Sequence, residues 1–246
     1  MPEYRWNDVD KAAGYDAGAE WVHPHYLEIQ NRLLEAVPFD RDATIRAVDL
    51  GGGSGRLAAR FLEAFPGASI DVVDQSEPFL VLARGRLKRF SGRGRCVAAR
   101  LQEDWESRLV GPIHLFLSMS AIHHLEGPEK RELYRRCAER LEPGGVLLNG
   151  DEVRPVDDAN YRELLERWWT HMRETIDAGR VSPPMADALQ QWKARNLDRF
   201  TEPRTCGDDC HETAESQLAT FREVGFDRAD VVWQRDLWGI LRGIRQ

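Results

Sequence analysis

Ala47-Val48-Asp49-Leu50-Gly51-Gly52-Gly53-Ser54-Gly55-Arg56-Leu57-Ala58-Ala59-Arg60-Phe61 sets a short apolar run, a glycine cluster and an amphipathic run in direct succession. The order reads as a buried strand, a tight turn and the start of a helix. Glycine has no Cβ, so the turn can adopt backbone angles closed to other residues, and a ligand can approach the chain closely. Such a strand-to-helix junction binds a nucleoside-type cofactor. The spacing narrows the choice. A dinucleotide fingerprint is Gly-x-Gly-x-x-Gly, whose third glycine packs the helix beneath a pyrophosphate. Here the glycines fall at Gly51, Gly53 and Gly55, and Arg56 stands where the third should be. A pyrophosphate is disfavoured, and a nicotinamide dinucleotide with it. Asp49, at the strand's end, suits the cationic part of an amino-acid moiety and would repel an anion.

Further along, Ala68-Ser69-Ile70-Asp71-Val72-Val73-Asp74 forms a second strand that ends in an acid. In a parallel α/β sheet, Asp74 is then placed to take both hydroxyls of a ribose, with Gln75 beside the base. The alternation continues. A helix from Gly55 to about Phe65 stops at Pro66-Gly67, and a second runs from Ser76-Glu77-Pro78 to Phe90. A weak third strand covers Arg95 to Ala99, and a helix from Pro128 to Leu141 joins strands at Ile113 to Leu117 and Gly145 to Asn149. Strand and helix in turn imply a parallel sheet with right-handed crossovers, all strand carboxyl ends meeting at one crevice.

These segments resemble the cofactor half of class I S-adenosylmethionine-dependent methyltransferases, whose signature is an acid followed by Gly-x-Gly-x-Gly. Ile113 to Leu125, with Ser118, Met119, His123 and His124, resembles the fourth strand and following loop of the small-molecule branch related to ubiquinone and menaquinone methyltransferases. Leu141-Glu142-Pro143-Gly144-Gly145 resembles the turn into the fifth strand, and Phe221 to Phe226 the turn before the sixth. The resemblance covers residues 45–151 and 212–244. It implies a Rossmann-like α/β fold: a mostly parallel seven-stranded sheet flanked by helices, with a helical insertion after the fifth strand. It implies S-adenosylmethionine as cofactor and S-adenosylhomocysteine as product. Asp49, Gly51, Gly53 and Gly55 would shape the methionine pocket, Asp74 would hold the ribose, and Ser118 and Met119 would line the wall near the sulfonium. Many relatives carry an acid after the third strand for the adenine amino group. This chain has Arg100-Leu101-Gln102 there, so the Leu101 backbone and the Gln102 amide are the groups left to recognise adenine.

Composition fits this reading. The 246 residues, 42% hydrophobic, suffice for one large α/β domain with a helical elaboration. A net charge of −7 disfavours broad phosphate-backbone binding, so a small-molecule acceptor is expected rather than nucleic acid. No apolar run approaches the roughly 20 residues that span a bilayer, and Met1-Pro2-Glu3-Tyr4-Arg5 lacks the marks of a signal peptide, so a cytoplasmic protein is expected. Four scattered cysteines are expected to be reduced thiols. Cys206-Gly207-Asp208-Asp209-Cys210-His211 offers metal-ligand types, but at Cys-x3-Cys spacing with no second pair. It reads as a loop capped by Asp209 or Thr213, and no metal site is expected.

Four segments follow: an amino-terminal helical lid over 1–40, a cofactor-binding core over 41–152, a helical insertion over 153–211, and a carboxy-terminal part of the core over 212–246. Tyr4, Trp6, Tyr15, Trp21, His23 and His25 precede a helix from Pro24 to Val37. In related methyltransferases such a stretch often folds over the cofactor; packing outside the sheet is the other reading. In the insertion, a stripe through Tyr161, Leu165, Trp168, Trp169 and Met172 is followed by a break at Ser182-Pro183-Pro184 and a second helix with Met185, Leu189 and Trp192. This pair either caps the acceptor side or packs on itself or on a second copy in a homodimer. His123 and His124 are the catalytic candidates, since a neutral imidazole can accept the proton of an acceptor; Asp151 and Glu152 could orient an amine or join a histidine on a metal. Methyl transfer to oxygen, nitrogen or carbon of a small molecule is expected. The alternatives are a tRNA-modifying enzyme and a non-methylating protein that binds the same cofactor.

Overall fold

The computed structural model describes residues 5–205 and 208–246. Tyr4 and Cys206, singled out above, lie outside the described residues. Strands β1 (Arg46–Leu50), β2 (Ser69–Asp74), β3 (Gly94–Ala98), β4 (Ile113–Met119) and β5 (Leu141–Glu152) are parallel, and β6 (Arg228–Arg235) and β7 (Trp238–Ile244) form a hairpin whose β7 runs antiparallel to β5. The sheet order is β3-β2-β1-β4-β5-β7-β6. The order in which the strands are laid down reverses between the parallel neighbours β1 and β4. Ligands of open α/β sheets bind outside the strand ends at that switch point.

Both faces are covered. Along β1, Ala47 faces a core built with Ile29, Leu33, Phe61 and Leu62, while Val48 and Leu50 face a second core with Trp105, Leu133, Tyr134 and Phe221. This is why the strand reads as a continuous apolar run rather than an alternating one. Helices α3 (Arg56–Ala64), α4 (Glu77–Leu87) and α5 (Gly127–Arg140) supply the crossovers, and α8 (Ala214–Glu223) precedes the hairpin. The Ser76 hydroxyl accepts from Phe79 N at 3.3 Å to cap α4, and Thr213 accepts from Ser216 N at 3.1 Å to cap α8. Thr213 is one of the two caps expected for the loop after Cys210.

The amino terminus holds two helices where periodicity predicts one. The predicted helix is α2 (Tyr26–Glu35); before it lies α1 (Val9–Val22), capped by Asp8, which accepts from Asp10 N and Lys11 N at 3.0 Å. The buried positions of α1 are Ala12, Gly18, Ala19 and Val22, too small to mark an apolar stripe. They serve close approach instead: a Cβ at Gly14 would stand 2.5 Å from Ser182 Oγ. That serine stands at the amino-terminal boundary of α7 (Pro183–Lys193), without a side-chain capping bond, and the insertion's other helix is α6 (Asp158–Asp177). Trp168 Nε1 donates to the Val22 carbonyl at 2.9 Å and Thr175 Oγ1 to the Trp21 carbonyl at 3.0 Å, so the insertion is fastened to the amino-terminal helices. Among the described residues no helix is long and apolar enough to cross a membrane.

Candidate active site

A cavity of about 810 Å³ opens over the carboxyl ends of β1, β2 and β4 and reaches under α1, α6 and α7. Its first end is the glycine turn. Gly51 has φ +66°, and a Cβ there would lie 2.4 Å from that of Ala121. Gly55 has φ +74° at the start of α3, against Ala83 of α4. Both positions therefore require glycine. Asp74 orients the turn: its Oδ2 accepts from Gly53 N at 2.9 Å and its Oδ1 from Ser76 N at 2.8 Å. Asp49 lies beneath, 1% exposed, and neither of its carboxylate oxygens has a hydrogen-bond partner. Burial, then the nearby Asp74 carboxylate, pushes Asp49 up to about 7. Burial also raises Asp74 to about 6, against the backbone N–H groups of Ser76, Gly53 and Gln75. Two buried acids with so little cationic company make a site that a cation and a pair of hydroxyl donors would complete. An ammonium and a ribose meet that description.

The α1 helix is tied directly to this turn. Ser54 Oγ donates to Asp16 Oδ1 at 2.5 Å, Arg86 reaches both Asp16 oxygens at 3.0 and 2.9 Å, and Arg56 Nη1 donates to the Asp16 carbonyl at 2.6 Å while pairing with Glu20. Ser76 Oγ donates to the Trp6 carbonyl at 2.5 Å. Trp6, Tyr15 and Phe79 pack at tilted and edge-on angles into one aromatic wall of the cavity. Arg56, which breaks the dinucleotide pattern, thus carries a structural tie of its own.

The far end gathers the histidines. The 3-10 turn Ile122–His124 follows β4, and its geometry is held by β5: His123 N donates to Asp151 Oδ2 at 2.8 Å. His123 Nδ1 lies 2.6 Å from both Asp151 Oδ1 and Glu152 Oε2. Nδ1 with two carboxylates carries the proton, which leaves Nε2 turned the other way, 3.8 Å from Asp209 Oδ1. Burial alone would lower the His123 pKa, but Glu152 and Asp151 raise it well above 6.5. His124 Nδ1 stands 3.3 Å from Asp209 Oδ1 and 3.2 Å from the Asp208 carbonyl. His211 binds Tyr161 through Nδ1 at 2.6 Å, and burial, then His123, lowers its pKa to about 3. Trp168, Met172, Met185, Leu189 and Trp192 of the insertion close the cavity above these groups.

The predicted residues are mostly brought together. Asp49, Gly51, Gly53, Asp74, Gln75, Leu101, Gln102, Met119, His123 and His124 line this one cavity. Gly55 supports the turn from behind. Ser118 is not among the lining residues: it is fully buried, and its hydroxyl donates to the Leu50 carbonyl at 2.9 Å, tying β4 to β1. An inward residue of a parallel strand cannot also face the crevice at that step of the pleat. Gln102 Nε2 donates to Glu129 at 3.3 Å. Sequence reading did not place His23 or Asp209 in the cavity, nor Asp16 and Asn196 behind it as the partners of Ser54 and Asp209, because each gets there across a long sequence separation. Cys210 donates to the Thr205 carbonyl at 3.4 Å and joins no group of metal-ligand side chains among the described residues.

Comparisons with known proteins point to the same fold. Residues 48–147 match the family model described as a methyltransferase domain. An uncharacterized methyltransferase of Oceanobacillus iheyensis is 25% identical over 157 residues, 63% of this chain and 66% of that protein. The 2,7-dihydroxy-5-methyl-1-naphthoate 7-O-methyltransferase of Streptomyces carzinostaticus is 28% identical over 144 residues, 58% of this chain and 42% of that protein. The chain thus spans less than two thirds of either relative. Human N-acetylserotonin methyltransferase, solved with S-adenosylmethionine, superposes with a TM-score of 0.58 at 16% identity, covering 95% of this chain and 58% of that one. The fold is that of the class I methyltransferases, and residues 48–147, which include the glycine turn, Asp49 and Asp74, are similar to a methyltransferase domain.

Proposed function

We propose that this chain, built on a class I methyltransferase domain, methylates a hydroxyl oxygen of a small aromatic acceptor. The observation that carries the proposal is one cavity that joins the glycine turn to a histidine backed by two buried carboxylates. When bound, the cofactor supplies a methyl group on a positively charged sulfur, already activated for in-line displacement. The chain's own groups bind, align and move a proton. Asp49 receives the ammonium, Asp74 the ribose hydroxyls, and the Leu101–Gln102 segment the adenine edge. Alignment of two bound reactants can supply roughly 7–11 kcal/mol of barrier lowering, so positioning is the main work of such a site. At pH values above its raised pKa, His123 Nε2 takes the acceptor's proton, and the imidazolium that forms is stabilised by Asp151 and Glu152 beside Nδ1. A hydroxyl needs that help, which favours oxygen over an already nucleophilic neutral amine. Trp6, Trp168 and Trp192 exclude water and offer flat faces to an aromatic ring. The cavity volume suits the cofactor and one small acceptor.

Calorimetric titration of wild type and Asp74→Ala with S-adenosylhomocysteine tests the cofactor end. A screen of hydroxylated aromatics with methyl-labelled S-adenosylmethionine tests the acceptor end. Binding lost in the variant, with label found as an O-methyl ether, is the expected result; label found only on nitrogen or carbon, or binding without any transfer, would replace this reading.

A further inference from the structure

We propose that His123 Nε2, His124 Nδ1 and Asp209 Oδ1 form a binding site for a first-row divalent cation of the zinc type, facing the acceptor end of the cavity. The three residues come from the turn after β4 and from the segment before α8, brought together only by the fold. Their candidate ligand atoms lie within 4.8 Å of one another. Asp209 Oδ1 is 3.3 Å from His124 Nδ1 and 3.8 Å from His123 Nε2. Atoms each about 2.1 Å from a shared ion would be separated by those spans at angles of roughly 105° and 130°, within the range of a four-coordinate centre. All three residues line the cavity, which leaves the remaining coordination position open toward it.

The surrounding shell is of the kind that orients metal ligands. A metal-bound imidazole usually donates its other N–H to a carboxylate. His123 Nδ1 does so to Asp151 Oδ1 at 2.6 Å, with Glu152 Oε2 also 2.6 Å away. The second oxygen of Asp209 accepts from Asn196 Nδ2 at 2.6 Å, which turns Oδ1 toward the histidines. Charge points the same way. Asp151, Glu152 and Asp209 place three buried carboxylates beside His123 and His124, and a dication offsets such a surplus better than a proton does.

The inference rests on the acceptor-side assignment made above and deepens it. With an ion bound, Nε2 is a ligand, the ion lowers the proton affinity of an oxygen it coordinates, and the acceptor class becomes an oxygen chelator such as a catechol or an ortho-hydroxycarboxylate.

The test uses the full chain after chelator dialysis, titrated with Co²⁺ and with Zn²⁺ alone, followed by calorimetry and by the visible absorption of Co²⁺; S-adenosylhomocysteine is titrated separately. One equivalent of metal is expected, lost in His124→Ala and in Asp209→Ala, and about 10- to 100-fold weaker in Asn196→Ala. Unchanged S-adenosylhomocysteine affinity shows that the variants are folded. Wild type that binds S-adenosylhomocysteine but no metal overturns this proposal alone, as does metal binding that survives both ligand substitutions. Metal bound without S-adenosylhomocysteine overturns the cofactor reading and leaves the metal site standing; neither bound overturns both.

Discussion

Asp49→Asn should stabilise the ligand-free protein, and should do so more as the pH rises. The Asp49 carboxylate is buried without a hydrogen-bond partner, and burial followed by the Asp74 charge lifts its pKa from 3.8 to about 7. The folded value lies above the unfolded one, so the penalty is absent below about pH 3.8 and grows while the unfolded chain ionises and the fold keeps its proton. It is complete above about pH 7, where it reaches about 4 kcal/mol at 1.36 kcal/mol per pH unit. At pH 5 roughly 2 kcal/mol has already accrued. Asparagine keeps the shape and carries no charge at either pH, so any cost of its own amide cancels between them. The stability gained by the variant should therefore be about 2–3 kcal/mol larger at pH 8 than at pH 5, or roughly 4–12 °C in Tm for a domain of this size. Differential scanning fluorimetry of both proteins at the two pH values reads this directly. S-adenosylhomocysteine should bind the variant about 10- to 100-fold more weakly, since a charge-assisted hydrogen bond is lost. A gain independent of pH, or a loss of stability at pH 8, would refute the claim that Asp49 is an uncompensated acid awaiting a cation.

Further predictions concern the other parts of the cavity. His123→Ala should lower turnover by about 10²–10⁴-fold with S-adenosylhomocysteine affinity unchanged, as steady-state kinetics beside calorimetry would show. Asp151→Asn removes one of the charges that raise the His123 pKa, so the limb on which the rate climbs with pH should move to lower pH; a profile that stays in place would separate Asp151 from proton transfer. Asp16→Ala unties α1 from Ser54 and Arg86 and should raise amide exchange across residues 9–22 and speed cofactor release, measured by hydrogen exchange and stopped flow. Trp168→Ala opens a void among Trp192, His23 and Trp238 and should cost about 3–5 kcal/mol in denaturant unfolding.

The amino-acid sequence by itself determined the fold class and the cofactor end. The acid of β1, the glycines after it and the acid ending β2 are contiguous motifs whose spacing has one backbone solution, so Asp49, Gly51, Gly53 and Asp74 meet at one strand end without help from distant residues. The alternation of strand and helix likewise prescribes the parallel sheet. The histidine end of the cavity and the packing of the amino-terminal helices over it depend on tertiary structure. Helix α1 has no apolar stripe to announce it, because it is held by Asp16 and by glycine contacts to α7. Asp209 and His211 reach His123 from 86 and 88 positions away, and Asn196 reaches Asp209 from 13, along a path no local propensity sets. Ser118 shows the same limit in reverse: the motif placed it at the crevice, and the pleat of β4, a property of the packed sheet, turned it to bond with Leu50.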